Sequence, residues 1–190
     1  MRIAFLGLGH MGLPMALNLV AANHAVTGFD VFAATQQTAR DAGLSVSDTA
    51  NEAVGDAEVV ITMFQSGEQV RGAYAGGLLA AAPANTLFID CSTIAVDEAQ
   101  AAHDLAQAAG HRSLDAPVSG GVVGAEAGTL AFMVGGQTSD VATATPILEA
   151  MGRRVVHCGG PGLGQAAKVC NNMILAVSQI AVAEAFVLAE

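Results

Sequence analysis

Short apolar runs alternate with longer segments of helical periodicity along almost the whole chain. The apolar runs predict strands at 2–7, 25–30, 58–64, 86–92, 113–117, 130–136 and 154–159, and the segments between them predict helices at 11–22, 33–42, 67–82, 95–109, 138–151 and 165–190. Because the strands are apolar throughout, helices are expected to cover both faces of the sheet. The pattern therefore predicts an α/β fold with a doubly wound, mostly parallel sheet and a long C-terminal helix.

The segment CGGPGLG, at 158–164, is the plausible domain boundary, because the strand–helix alternation stops there and a single long helix follows. We predict one domain at 1–160 and the start of a second, helical unit at 161–190. The stretch MILAVSQIAVAEAFVLAE in this helix is the most apolar of the chain, but serine, glutamine and glutamate residues interrupt it. These polar side chains favour a buried helix over one that spans a membrane.

Composition narrows the possible partners. Of the 190 residues, 53% are hydrophobic and 13% are charged, which is typical of a folded chain with a substantial core. The net charge of −10 disfavours nucleic acids and anionic membranes as partners. Cys91, Cys158 and Cys170 lack the spacing of metal ligands, so we expect reduced thiols and no metal site. The N-terminus has no signal-peptide pattern, and the expected setting is the cytoplasm.

The segment GLGHMG, at 7–12, follows the first predicted strand and opens the first predicted helix. Its G-x-G-x-x-G spacing in this setting is typical of a dinucleotide-binding turn. Gly7 permits the tight turn, Gly9 lets the backbone approach a pyrophosphate, and Gly12 lets helix and strand pack closely. The N–H groups at the start of the helix would face the phosphates. The candidate cofactor-binding residues of the turn are Gly7, Leu8, Gly9, His10, Met11 and Gly12.

Asp30 stands at the end of the second predicted strand, where dinucleotide-binding domains carry an acidic residue about 20 residues after the turn. Such a residue accepts hydrogen bonds from the ribose hydroxyls of NAD. A 2′-phosphate would meet like charge there, and the segment FDVFAAT contains no arginine to offset it. Asp30 therefore favours NAD over NADP as the cofactor.

A second glycine-rich segment, DAPVSGGVVGAEAGTLAFMVGG at 115–136, follows the fifth predicted strand. Ligands of open α/β sheets bind at the carboxyl ends of the strands, where a long loop presents backbone N–H groups. Such an amide nest suits a small carboxylate, which makes Ser119, Gly120 and Gly121 candidate substrate-binding residues. A flexible surface loop is the alternative that spacing leaves open.

Lys168 is the only lysine of the chain and lies near the start of the last predicted helix. Asn172 follows it by one helical turn, so both side chains leave the same face. Oxidation of an alcohol by NAD requires a base for the hydroxyl proton, and a lysine desolvated by Ala166, Ala167 and Val169 can have a lowered pKa and serve as that base. Asn172 could hold the substrate hydroxyl or carboxylate. A solvated surface lysine is the alternative.

Five motifs occur in order along the chain: FLGLGHMGLPMALNL, VVITMF, FIDCSTI, LDAPVSGGVVGAEAGTLAFMVGG and GLGQAAKVCNNMILA. Together they resemble those of the β-hydroxyacid dehydrogenases over essentially the whole chain. The resemblance implies a Rossmann-type NAD-binding domain and NAD-dependent oxidation of a small 3-hydroxy acid by hydride transfer. By the same resemblance, Lys168 is the catalytic acid/base, Ser119, Gly120, Gly121 and Asn172 bind the substrate, Thr93 lies near the nicotinamide, and Phe64 and Gln65 stand where most members have Leu-Pro lining the cofactor site.

The resemblance also implies that a C-terminal helical domain is missing. Members of the family continue as a helical domain that supports dimerisation and closes over the substrate, whereas this chain ends inside the joining helix. We therefore expect a truncated chain, or a homo-oligomer in which another copy covers the apolar helix. Two other functions stay open: NAD(P)H-dependent reduction of a small aldehyde acid, such as tartronate, glyoxylate or succinic semialdehyde, and cofactor binding without turnover.

Overall fold

The apolar runs form the strands of one sheet in the computed structural model, which describes residues 1–189. The strands are β1 Arg2–Leu6, β2 Ala25–Phe29, β3 Ser45–Val46, β4 Val59–Thr62, β5 Leu87–Asp90, β6 Arg112–Asp115, β7 Val118–Ser119, β8 Leu130–Gly135 and β9 Gly152–Gly159. The helices are α1 Gly12–Ala21, α2 Ala33–Asp41, α3 Ala50–Val54, α4 Gly67–Ala73, α5 Leu79–Ala81, α6 Val96–Ala108, α7 Gly121–Glu126, α8 Thr138–Glu149 and α9 Leu163–Ala189. The segment Tyr74–Leu78 between α4 and α5 is kinked at Gly77, which has a φ of +124°. Glu190, the last residue of the predicted helix, lies outside the described residues.

The strands are arranged in the order β3-β2-β1-β4-β5-β6-β8-β7, and β9 pairs with β8. Neighbouring strands are parallel, except that β8 runs antiparallel to β6 and β7. The predicted doubly wound, mostly parallel sheet with a long helix after it is confirmed. The division into domains at 1–160 and 161–190 stays a prediction. Because the winding direction reverses between β1 and β4, the crevice outside the carboxyl ends of these strands is where such sheets bind ligands.

Successive residues of β1 belong to two separate hydrophobic cores, one on each face of the sheet. Phe5 shares one core with Met15 of α1. Leu6 shares the other with Tyr74, which directly follows α4. Neither strand residue is more than 1% exposed. Burial on both faces explains why the strands are continuous apolar runs in the sequence.

Four short elements escaped prediction from the sequence: β3, α3, β7 and α7. The prediction of a long loop between the strands predicted at 113–117 and 130–136 is wrong, because Val118–Ser119 pairs antiparallel with β8 and Gly121 begins α7. Two-residue strands have no periodicity to detect, and β7 depends on a partner that comes later in the chain. The short helix α3 is closed by a capping box, in which the side chains of Thr49 and Glu52 each accept the other's backbone N–H.

The prediction that the last helix is buried is wrong within this chain. Gly164, Gln165 and Lys168 are buried near its start, but residues 172–189 are exposed. By length and composition alone, α9 is long and apolar enough to cross a membrane, and none of its most apolar window is buried. An apolar pattern indicates that a helix face avoids water, but it does not say whether the covering surface belongs to the same chain.

Candidate functional site

The turn between β1 and α1 brings a strand, a helix and a neighbouring loop into close contact at two glycines. Gly7 has a φ of +92°, and its N–H donates to the carbonyl oxygen of Phe29 at 2.9 Å. A Cβ at Gly12 would overlap the carbonyl oxygen of Gly7, and a Cβ at Gly7 would overlap that of Met63. Both positions therefore require glycine.

Gly9 differs from these two, because a Cβ there would meet nothing within 4 Å. It is exposed just before α1, a helix with no side-chain cap and no acidic residue in its first turn. The backbone N–H groups and the positive end of the helix dipole fit an anionic phosphate. His10 is exposed and Met11 is half-buried, whereas Leu8 belongs to the core. The turn is therefore suited to hold phosphates by its backbone.

Asp30 ties this turn to the end of β2. Its Oδ2 accepts a hydrogen bond from the N–H of Leu8 at 2.8 Å, and its Oδ1 accepts one from the N–H of Phe32 at 2.9 Å. The residue is 9% exposed. Asp30 thus holds the turn in place, a role that the sequence did not reveal. Each carboxylate oxygen has a second lone pair, so the carboxylate can still accept a hydrogen bond from a ribose hydroxyl.

A buried carboxylate, Asp90, organises the loops beside this turn and was missed in the sequence. Its Oδ1 accepts hydrogen bonds from the hydroxyls of Thr62 at 2.7 Å and Ser92 at 2.6 Å. The Ser92 hydroxyl oxygen in turn accepts the N–H of Phe64 at 2.8 Å. Burial raises the pKa of Asp90 to about 6, although these hydroxyl donors favour the charged form. The network joins the loop after β4 to the loop after β5.

The predicted cofactor residues on these two loops lie at different depths. Phe64 is half-buried against the core, whereas Gln65 and Thr93 are exposed. The N–H of Gln65 donates to Oε1 of Gln69 at 3.0 Å, a bond that a proline at position 65 could not make. Compared with a proline, Gln65 therefore adds a local backbone hydrogen bond and presents a polar side chain on the loop.

Lys168 is buried, so the alternative of a solvated surface lysine is wrong. The residue is 9% exposed, and Nζ donates to the carbonyl oxygen of Val118 at 2.6 Å. Among residues 1–189, none of the salt bridges includes Lys168. Burial without a carboxylate partner lowers the pKa of its ammonium group. The amine is therefore easier to deprotonate than an ordinary lysine.

The hydrogen bond to Val118 holds Lys168 beside the predicted substrate residues. Ser119 directly follows Val118 and is half-buried, and Gly120 and Gly121 are exposed with φ values of +139° and +62°. Asn172 is exposed one turn beyond the lysine, where its Oδ1 accepts a hydrogen bond from Asn171 at 3.3 Å. The fold thus gathers Lys168 and the Ser-Gly-Gly turn, while the contacts of Asn172 are local to its helix.

Two further residues fix the start of α9 and were not predicted. The carboxylate of Asp115 accepts the N–H of Gly162 at 2.8 Å and that of Gln165 at 2.9 Å. The side chain of Gln165 donates to the carbonyl oxygen of Ser92 at 2.7 Å. A strand-ending aspartate followed later by a glycine-rich helix start was the available signal, but only the folded structure brings the two segments together. Burial raises the pKa of Asp115 against the effect of these backbone donors.

Known proteins match almost the whole length of the chain. Residues 2–160 match the family model described as the NAD binding domain of 6-phosphogluconate dehydrogenase. A probable 3-hydroxyisobutyrate dehydrogenase of Mycobacterium tuberculosis is 59% identical over 99% of this chain, and the chain spans 64% of that relative's length. An NAD-dependent L-serine dehydrogenase of Pseudomonas aeruginosa is 48% identical over 98% of this chain and 63% of its own length.

A solved structure agrees with these sequence relationships. The structure of a Mycobacterium tuberculosis 3-hydroxyisobutyrate dehydrogenase with L-serine superposes with a TM-score of 0.95 at 58% sequence identity. The match covers 99% of this chain and 64% of that one. The fold is therefore shared with this protein over the part of it that the chain spans.

Gly9→Ala and Gly12→Ala form a matched pair, because each adds one methyl group to the same turn. Gly12→Ala should lower the free energy of unfolding by about 1–3 kcal/mol, since the methyl group has no space. Gly9→Ala should change it by less than about 0.5 kcal/mol but weaken NADH binding about tenfold, because the methyl group enters the open space before α1. Urea denaturation and NADH fluorescence titration measure both effects. Equal stability losses, or unchanged NADH affinity in Gly9→Ala, would contradict this assignment.

Proposed function

The chain belongs to the β-hydroxyacid dehydrogenase family, and on that premise we propose that it serves the NAD-dependent oxidation of a small 3-hydroxy acid. Residues 2–160 are the part of the chain that matches the NAD-binding domain. The reaction would be of the type that converts 3-hydroxyisobutyrate to methylmalonate semialdehyde. The observation that carries this proposal is the 2.6 Å hydrogen bond from Lys168 Nζ to Val118, because it keeps a buried amine beside the Ser-Gly-Gly turn.

Lys168 would act as the general acid/base. When bound, NAD+ supplies the acceptor for the hydride that leaves C3 of the substrate. The neutral amine of Lys168 takes the proton of the substrate hydroxyl, and the resulting ammonium group returns a proton in the reverse reaction. Burial supports this role because it lowers the pKa of the amine and so raises the fraction of the base. The carbonyl of Val118 offers the ammonium form a hydrogen-bond acceptor without adding a negative charge.

The Ser-Gly-Gly turn would orient the substrate through its carboxylate. Gly120 and Gly121 are exposed and have positive φ values, so their N–H groups are not confined to an ordinary strand ladder. Backbone N–H groups in such a turn suit a carboxylate, and the Ser119 hydroxyl can donate a further hydrogen bond. Asn172 would hold the hydroxyl or carboxylate from the helix side. This arrangement fixes the substrate between the turn and the amine.

The names of the relatives support a substrate class with a primary alcohol. The relatives include a 3-hydroxyisobutyrate dehydrogenase and an L-serine dehydrogenase, and a similar structure contains L-serine. Both acids carry a CH2OH group on the carbon next to the carboxylate, and they differ in a methyl group against an ammonium group on that carbon. We propose this shared group as the part of the substrate that Lys168 and the Ser-Gly-Gly turn recognise, with L-serine as the second candidate substrate.

NAD is proposed as the preferred cofactor. Asp30 stands beside the phosphate turn, with its two oxygens 2.8 Å and 2.9 Å from backbone nitrogens, so the carboxylate is fixed in place. A 2′-phosphate at the ribose would lie close to this fixed negative charge. Thr93, Phe64 and Gln65, on the two neighbouring loops, would flank the nicotinamide half. Reduction of an aldehyde acid with NADPH is accordingly the less favoured alternative.

The exposed part of α9 is proposed to be covered by a second copy of the chain. Large apolar side chains along it are 51–88% exposed, among them Ile180, Phe186 and Leu188. Apolar surface of this extent marks an interaction site, and closed pairs of identical chains are the commonest oligomers. The buried first turns of α9 would stay with the sheet, while the exposed turns would meet the partner.

The role of Lys168 can be tested with two variants. Lys168→Ala should abolish NADH formation from 3-hydroxyisobutyrate and L-serine, because the proton acceptor is lost, while leaving the NADH dissociation constant within about twofold. Lys168→Arg should be equally inactive, because it keeps a positive charge that does not titrate below a pH of about 12. Activity retained in either variant would contradict the assignment. NADH binding by the wild type without any turnover would favour the cofactor-binding alternative.

Cofactor preference can be measured directly by calorimetry with NADH and NADPH. The fixed charge of Asp30 should make NADH binding at least about tenfold tighter, equivalent to about 1.4 kcal/mol. The difference should shrink as salt is added, because the repulsion is screened. NADPH binding as tight as NADH binding, or tighter, would contradict the proposal.

Sedimentation velocity tests the proposed cover of α9. The wild type should associate reversibly at micromolar concentrations, and a variant with Ile180→Glu and Phe186→Glu should sediment as a monomer. Because both positions are exposed, the double variant should unfold at the same urea concentration as the monomeric wild type. A wild type that stays monomeric over the whole concentration range would contradict a cover by a second copy.

A further inference from the structure

We propose that Asp115 is a positioning residue for Lys168: its carboxylate anchors the first turn of α9 to the end of β6, three residues before the carbonyl group that holds the lysine amine. The proposal rests on the proposed function only for the catalytic role of Lys168. Asp115 itself does not contact Nζ and acts through the placement of the helix.

The first contact of this anchor is at the helix start. Asp115 is 6% exposed, and its two oxygens receive N–H groups of Gly162 and Gln165, at 2.8 Å and 2.9 Å. The first N–H groups of a helix have no partner within the helix, so they depend on an outside acceptor when they are buried. A carboxylate is the strongest such acceptor and also complements the positive end of the helix dipole. Asp115 thus fixes where α9 begins.

The second contact of the same chain segment is at the lysine. Val118 follows Asp115 by three residues, and its carbonyl oxygen accepts the hydrogen bond from Nζ of Lys168 at 2.6 Å. Lys168 lies about one helical turn after Gln165, whose N–H is bound by Asp115. The segment 115–118 therefore contacts α9 in its first turn through Asp115 and in its second turn through Val118. The same segment continues directly into Ser119. It therefore holds the start of α9, the amine of Lys168 and the Ser-Gly-Gly turn at fixed distances from one another.

The backbone comes close enough for this arrangement because of a glycine. A Cβ at Gly164 would lie 2.7 Å from Oδ2 of Asp115 and would also overlap the carbonyl oxygen of Met133. A side chain at that position would push the helix away from β6 and β8. The glycine of the helix start is therefore explained by the close approach to the carboxylate.

Gln165 adds a tie in a second direction. Its Nε2 donates to the carbonyl oxygen of Ser92 at 2.7 Å, and its Oε1 accepts the N–H of Ile94 at 3.3 Å. These two backbone groups lie on either side of Thr93, the residue predicted to be near the nicotinamide. The anchored turn of α9 is therefore connected to the loop that carries Thr93 as well as to β6, and Lys168 follows Gln165 by three residues in the helix.

The single lysine makes the placement measurable without any activity assay. Protein with lysine labelled with 13C at Cε gives one lysine signal, because the chain has a single lysine, and the pH titration of that signal reports the environment of Lys168 alone. In the wild type we expect a midpoint below about 10.4, the ordinary lysine value. In Asp115→Asn the amide group cannot accept both N–H groups, so the midpoint should move up toward that value as the amine becomes solvated. Hydrogen exchange of the Gly162 and Gln165 amides should become about tenfold faster or more.

Asp140→Asn is the matched control. Asp140 is 8% exposed, lies in the first turn of α8 and pairs with Arg112 at 3.5 Å, so its loss also disturbs a largely buried carboxylate at a helix start. A merely structural effect on stability would appear in both variants. We expect the Lys168 titration and the two amide exchange rates of Asp140→Asn to equal those of the wild type.

Gln165→Leu provides a second variant that keeps the Asp115 carboxylate and removes the side-chain ties to the Thr93 loop. It should move the lysine midpoint in the same direction as Asp115→Asn. Wild-type titration of the lysine signal in both variants would overturn the proposal, as would an equal shift in Asp140→Asn. The measurement needs no substrate, so an inactive wild type would contradict the proposed reaction and leave the positioning role standing.

Discussion

Three aspartates at the carboxyl ends of strands fix the segments around the candidate site. Asp30 accepts hydrogen bonds from an N–H group of the turn at 7–12 and from one of its own loop. Asp90 accepts a hydrogen bond from the Ser92 hydroxyl, and Asp115 accepts hydrogen bonds from the N–H groups at the start of α9. Asp90 and Asp115 are directly paired neighbours on β5 and β6. Because parallel strands bring their carboxyl ends to one edge, these short-range bonds arrange loops that are far apart in sequence.

The donors that these carboxylates face determine which ligands suit the carboxyl edge of the sheet. Asp90 and Asp115 are buried and turned toward the protein's own donors, and burial raises the pKa of both. The groups at this edge that suit anionic ligands include the uncapped start of α1, the exposed backbone of Gly120 and Gly121, and the amine of Lys168. An acidic chain with a net charge of −10 can thus present a site suited to phosphates and a carboxylate.

The sequence predicted the features that depend on local pattern. Continuous apolar runs predicted the parallel sheet, and the spacing of Gly7, Gly9 and Gly12 predicted the turn whose close contacts the structure contains. The pattern missed β3 and β7, because a two-residue strand exists only through its partner. It also missed the anchoring roles of Asp90, Asp115 and Gln165, because their hydrogen bonds join segments that only the fold brings together. The exposure of α9 was not predictable either, since apolarity does not identify the covering surface.

Amide NMR of the 15N-labelled chain during titration with NAD+ and then with 3-hydroxyisobutyrate tests most directly the claim that this edge is the cofactor and substrate site. NAD+ should first shift the signals of Gly9, His10, Val31, Gln65 and Thr93, and the acid should then shift those of Gly120 and Gly121. Shifts concentrated instead at the cleft lined by Tyr74, Gly77 and His111, between the segments that lead into β5 and β6, would contradict the account.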